Sequence, residues 1–288
     1  MGKWAVISRQ KAGGGQLGRV AVVDGQDRRL DKGETMSPIN QSICFGCFHR
    51  GGVSPAEVIR EASRIGYKSV EMLPQEHWNK VHDHGMNIAI VVGHESLPDG
   101  LNKRENHDRI EEELLANMDL AIAHHIPSLI CFSGNFGGKS DEEGRDNTIE
   151  GFLRVSKVAE EMDITLCMEL LNSKVDHPDY QCDRTDWGVE VCREVGSSHV
   201  KLLYDIYHMQ IMEGDLIRTI RDNIAHIGHF HTAGNPGRQD MDEAQEIYYP
   251  PVMRAIAEGG YTGYVGHELV PKGDPLAAMQ AAYATCDV

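Results

Sequence analysis

Four residues of the kind that hold metal ions recur in this chain at the ends of short apolar runs. Their spacing restricts the fold more than any other feature. Val200–Tyr204 runs into Asp205, and Ile224–Phe230 runs into His231. Ile164–Met168 runs into Glu169, and Tyr264–His267 runs into Glu268. The intervals are 36, 26 and 37 residues. A (β/α)8 barrel of about 250 residues repeats roughly every 31 residues, and its strand C-termini share one face. The pattern therefore predicts four consecutive barrel strands whose terminal side chains converge. One acid after a strand is an ordinary helix cap or solvated loop residue; four at barrel spacing argue for a site. Glu, Asp, His, Glu is an oxygen-rich set, hard enough to suit Mn²⁺, Mg²⁺ or Co²⁺.

The rest of the chain supplies the other units. Strand one is expected at Ser42–Phe48, and Ser54-Pro55 is an N-cap and first-turn pair for a helix ending near Gly66. Strand two spans Lys68–Met72 and carries Glu71; a helix from Pro74 stops at Gly85. Strand three spans Asn87–Val92 and is followed by His94. A helix over His107–His125 carries Ile110, Leu114, Met118 and Ala121 at helical period. Strand four is Ser128–Phe132, and a helix covers Glu142–Glu161. Asp186 caps a helix ending at Gly196, Asp215–Asp222 is helical, Met241–Gly259 forms helix seven, and Asp274-Pro275 opens the last helix. Eight β/α units in one domain close naturally into a TIM barrel. The rival, an open doubly wound sheet, calls for a glycine fingerprint after strand one, and Gly46–Gly52 does not supply G-x-G-x-x-G.

Residues 1–35 differ from the remainder. They hold 7 basic and 4 acidic residues, a net of +3, which leaves 21 basic and 40 acidic residues, a net of −19, for 36–288. With a triple glycine at 13–15 and no continuous apolar stretch, this segment is expected to be a disordered extension, with Met36 as the native start. Deleting residues 2–35 is expected to leave stability and activity nearly unchanged. The overall charge of −16 speaks against nucleic-acid binding, and no apolar run reaches the length of a membrane span. The expected setting is cytoplasmic. Seven cysteines, mostly within apolar runs, read as reduced and buried; Cys44 and Cys47 have redox-motif spacing but fall within the expected strand one.

Met168-Glu169-Leu170-Leu171-Asn172, Tyr204-Asp205-Ile206-Tyr207-His208-Met209-Gln210, Ala233–Arg238 and Gly266-His267-Glu268 together resemble the hydroxypyruvate isomerase family, within the xylose isomerase-like barrels. The resemblance covers about Pro38–Pro271. It implies a barrel holding a divalent metal ion through Glu169, Asp205, His231 and Glu268, with Glu71, His94, His208 and Arg238 lining the substrate pocket. One position departs from the pattern: hydroxypyruvate isomerases often carry Gln where this chain has His231, whereas ketose epimerases carry His.

The chemistry expected is proton transfer between adjacent carbons through an enediolate. Glu169 and Glu268 would serve as the acid/base pair, and a metal ion would stabilise the developing charge. The planar fork of Arg238 suits a substrate carboxylate. The leading expectation is interconversion of hydroxypyruvate and tartronate semialdehyde. A ketose 3-epimerase or another sugar isomerase or dehydratase would use the same groups. An endonuclease IV-like phosphodiesterase would need an Asp-x-His pair where Arg238–Asp242 stands. A sugar-binding barrel without catalysis would be marked by a broken ligand set. The expected partner is a small hydroxy-keto acid or ketose, with neither nucleic acid nor membrane; self-association into a homo-oligomer is left open.

Overall fold

A computed structural model describes residues 39–288; the extension expected at 1–35 lies outside the described residues. Among these, nine parallel strands alternate with helices: β1 Asn40–Cys44, β2 Ser69–Glu71, β3 Asn87–Ile88, β4 Ile90–Val92, β5 Ser128–Cys131, β6 Thr165–Glu169, β7 Val200–Asp205, β8 Ile227–Thr232 and β9 Tyr264–His267. The sheet order is β3-β2-β1-β9-β8-β7-β6-β5-β4. Only Ala89 separates β3 from β4. The single strand expected at Asn87–Val92 is therefore present in two pieces, one paired with β2 and the other with β5. That segment brings the two edges of the sheet together, and the architecture is the expected (β/α)8 barrel.

The helices are α1 Phe45–Phe48, α2 Pro55–Ile65, α3 Trp78–Asp83, α4 His107–Ala123, α5 Asp141–Met162, α6 Thr185–Val195, α7 Ile206–Met212, α8 Leu216–Asn223, α9 Tyr249–Glu258 and α10 Pro275–Cys286. At α2 a full capping box forms: Ser54 Oγ accepts from the Glu57 backbone N–H, and the Glu57 carboxylate accepts from the Ser54 N–H. Several expected boundaries move. Strand one ends at Cys44, where the chain turns into α1, so Cys44 and Cys47 do flank a helix start. The strand expected at Ile224–Phe230 begins at Ile227, because Ile224–His226 is a 3-10 turn. Helix seven begins at Tyr249 rather than Met241; Pro250 and Pro251, which lack N–H groups, fit only a first turn and fix the start there. The α6 cap position belongs to Arg184 rather than Asp186.

The core is split by the barrel wall. Most buried apolar residues lie in one large cluster that includes Ile43, Val70, Leu166, Leu202 and Phe230 from the strands and Val58, Leu114, Phe152 and Ile256 from the helices. A second, small cluster of Ile90, Ile130, Cys167 and Leu203 is separate from it. Cys167 stands two residues before Glu169 and Leu203 two before Asp205, so these share the strand face of the acids. The inner face is therefore apolar on the β4–β7 side. On the β8–β2 side it carries His229, His231, Cys44 and Glu71.

Candidate metal centre and active site

Register decides which side chains point inward. In β7 and β8, Leu202 pairs with Ile227 but Leu203 pairs with His229, so the ladder slips and skips Gly228. Without that bulge His229 and His231 would face the helices; with it they share the face of Asp205. Asp205 pairs with His231, His231 with Gly266, Gly266 with Ser42, and Cys44 with Glu71. One inward face thus runs from β7 round to β2.

The four residues from the strand ends meet. Glu169, Asp205, His231 and Glu268 each place a ligand atom within 4.8 Å of the others. His231 Nδ1 lies 2.8 Å from Glu268 Oε2 and 3.7 Å from Glu169 Oε1. Glu169, Asp205 and His231 are 7%, 1% and 0% exposed, so the cluster opens only on the side of Glu268 and Arg238, whose side chains are 20% and 22% exposed. Arg238 sits on the Gly234–Gln239 loop, which is closed by backbone hydrogen bonds between its two end residues. It adopts φ +53°, a conformation unusual for a residue with a Cβ. From there its guanidinium reaches Glu268 at 2.6 Å and Asp205 at 3.3 Å and lies over the Tyr207 ring.

The electrostatics follow from burying three carboxylates together. Burial, with Glu268 close by, pushes the Glu169 and Asp205 carboxyls above their usual range. Burial acts in the same direction on Glu268, but Arg238 and then His231 outweigh it and hold that carboxyl at about 2. Burial depresses the His231 imidazole, while Cys44 and Glu268 act the other way and leave it well above its usual range.

A divalent cation fits this arrangement. His231 Nδ1 and Glu268 Oε2 are buried and make no hydrogen bond of good geometry among the described residues; they meet each other at 2.8 Å, and Glu268 Oε2 is held besides by Arg238 at 2.6 Å. An imidazole nitrogen converging with three carboxylates is a donor set that suits a cation, and its three oxygens and one nitrogen are hard ligands. Glu169, Asp205, His231 and Glu268 are the residues that would hold it.

The other expected site residues divide. His208 lies on α7. Its Nδ1 accepts from the Asn172 backbone N–H at 3.2 Å, which leaves the proton on Nε2. That Nε2 is buried, without a hydrogen-bond partner, and 3.7 Å from Asp205 Oδ2. Arg238 Nε is likewise buried and unpartnered among the described residues. Glu71 was expected to line the substrate pocket. It is fully buried behind His231, with Oε1 3.2 Å from His231 Nε2 and Oε2 3.0 Å from His229 Nε2. Burial works against its ionisation, but the two imidazoles outweigh it and hold the carboxyl below its ordinary range. His94, also expected to line the pocket, has both ring nitrogens committed to backbone: one to the Glu95 carbonyl at 3.1 Å, the other to the Phe132 N–H at 2.9 Å. It has no ring nitrogen left for a substrate.

Sequence reasoning passed over His229 and gave Cys44 no place in the site. The His229-Phe230-His231 alternation is the signal for the first, since residues two apart on a strand share a face. Cys44 lay hidden inside an overlong strand. All seven cysteines are free, and burial pushes the Cys44 thiol up and the Cys47 thiol up to about 12, which suits inert thiols rather than a redox pair.

Comparison with known proteins agrees with the fold. Residues 59–285 match the family model for the xylose isomerase-like TIM barrel. The chain is 33% identical over 135 residues to a 2-oxo-tetronate isomerase from Cupriavidus necator, covering 47% of this chain and 51% of that one. It is also 33% identical over 143 residues to the hydroxypyruvate isomerase of Escherichia coli strain K12, covering 50% and 55%. The matched region thus spans about half the length of these relatives. Among solved structures, an AP endonuclease, family 2, from Brucella melitensis superposes with a TM-score of 0.77 at 23% identity, covering 87% of this chain and 100% of that one. No helix among the described residues is long and apolar enough to cross a membrane. The family match extends over most of the barrel, and the chain belongs to the xylose isomerase-like TIM barrel family.

Proposed function

We propose that this protein is a metal-dependent isomerase that interconverts hydroxypyruvate and tartronate semialdehyde. The observation that carries the reading is the meeting of Glu169 and Glu268 around His231 in a buried pocket whose open side is flanked by Arg238. The isomerase names of the two partial relatives support it. A bound Mn²⁺, Mg²⁺ or Co²⁺ would polarise the substrate's carbonyl and stabilise the negative charge of the enediolate.

The chain's own groups do the rest. One carboxylate of the Glu169/Glu268 pair takes the proton from the hydroxymethyl carbon, and the other delivers a proton to the neighbouring carbonyl carbon. The two oxygens exchange a proton in the same interval, so hydroxyl and carbonyl trade places. Arg238, with its unpartnered Nε, receives the substrate carboxylate. His208, with its proton on Nε2, donates to a substrate oxygen. The near-complete burial of Glu169, Asp205 and His231 keeps bulk water from the reacting carbons.

The test is product formation. Protein loaded with Mn²⁺, Mg²⁺ or Co²⁺ is incubated with hydroxypyruvate, and in parallel with a panel of ketoses, and the products are resolved by NMR. Tartronate semialdehyde appearing only with metal present is the expected result. Turnover confined to a ketose would replace this substrate with that of a sugar epimerase, and no turnover of either class would refute the isomerase reading.

A further inference from the structure

Resting on the metal reading of the strand-end cluster, we propose that Glu71 is a positioning residue for His231, fixing its tautomer and ring orientation from behind, and that Cys44 and His229 hold Glu71 in place for that task. An imidazole that ligates a cation through one nitrogen must carry its proton on the other. His231 Nδ1 faces Glu169 and Glu268, so the proton belongs on Nε2. His231 is wholly buried, and Glu71 Oε1, 3.2 Å from Nε2, is the carboxylate oxygen on that side. Cys44 Sγ, at 3.8 Å from Nε2, is the more distant neighbour.

The carboxylate is itself held. Cys44 Sγ–H donates to Oε1 at 3.1 Å, and His229 Nε2 lies 3.0 Å from Oε2. Room for it comes from β9: a Cβ on Gly266 would stand 1.7 Å from Glu71 Oε1 and 3.0 Å from His231 Cδ2. The skipped residue in β8 and the missing side chain in β9 thus serve one contact. A carboxylate behind a ligating histidine orients the ring and raises its basicity, and losing such a partner weakens metal affinity by about 10- to 100-fold.

Two measurements test this. In the first, Mn²⁺ is titrated into wild-type protein and the E71Q variant, with free ion followed by electron paramagnetic resonance. Both should bind one equivalent, with Kd about 10- to 100-fold higher in E71Q. An unchanged Kd would overturn the proposal. So would two equivalents in wild type and one in E71Q, because Glu71 would then be a ligand of a second ion. No Mn²⁺ binding by folded wild-type protein would defeat the metal reading itself, a result distinct from either. The second measurement needs no substitution and stands if E71Q does not fold. Long-range ¹H–¹⁵N spectra of the Mg²⁺-loaded protein should show His231 with its proton on Nε2; a proton on Nδ1 would refute the assignment.

Discussion

The chemistry assigned to Glu169 and Glu268 depends on their ability to exchange protons, and Gln keeps their shape while removing that ability. E169Q and E268Q are each expected to lower kcat by about 10²- to 10⁴-fold, with circular dichroism spectra like wild type. A near-normal rate in either would remove that residue from the mechanism. Arg238 carries a different expectation. R238K keeps a positive charge beside Glu268 and Asp205 but loses the planar fork. KM for a carboxylate substrate should rise by about 10-fold or more, with a smaller effect on a neutral ketose; equal effects on both would mean that Arg238 does not read the carboxylate. At this scale the sequence was most informative where chemistry and strand spacing coincided. Glu169, Asp205, His231 and Glu268 all stand within one residue of a strand end, and the fold brings them together. Glu71 also ends a strand, yet it points behind His231, because whether such a side chain reaches the mouth or the interior depends on register and on the vacant space at Gly266.

Elements contribute through their ends and their register. G266A is expected to displace Glu71 or His231, since its Cβ has no room, at a stability cost of about 1–3 kcal/mol. Metal affinity should fall in parallel, as measured by Mn²⁺ titration and denaturant unfolding. S54A provides the contrast: it removes the capping box of α2, which belongs to a different part of the fold from the strand-end cluster. Stability should drop by about 1 kcal/mol with activity unchanged. If S54A impaired turnover as much as G266A, the effect of G266A could not be assigned to the site. The helices with strong local signals, such as α2 with its Ser-Pro start and α10 with Asp-Pro, were legible in sequence. The α7 helix was not. It begins directly at Asp205, whose side chain accepts from the His208 N–H, so a ligand-type acid doubles as an N-cap and the strand passes into helix with no intervening turn residue. The β8 bulge was equally hidden: Gly228 reads as an ordinary residue within an apolar run, and only pairing with β7 reveals that it is skipped.

For the whole molecule, a buried set of three carboxylates and a histidine links metal binding to stability. A ligand that binds only the folded state stabilises by RT ln(1 + [L]/Kd), about 2.7 kcal/mol at a hundred times Kd. For a barrel of this size that corresponds to roughly 5–10 °C in Tm. Mn²⁺ should therefore raise Tm by that amount and EDTA should reverse it, whereas a Tm indifferent to both would leave the carboxylate cluster without its cation. The barrel itself was legible because each β/α unit carries its own turn and period signals, and because eight right-handed units have few ways to close. The proton transfer is tested most directly by isotope exchange. Metal-loaded protein in D₂O with hydroxypyruvate should place solvent deuterium on the reacting carbons, and E169Q and E268Q should abolish or sharply slow that exchange. Tartronate semialdehyde formed without deuterium uptake, or exchange that persists at the wild-type rate in both variants, would contradict a proton relay through these two glutamates.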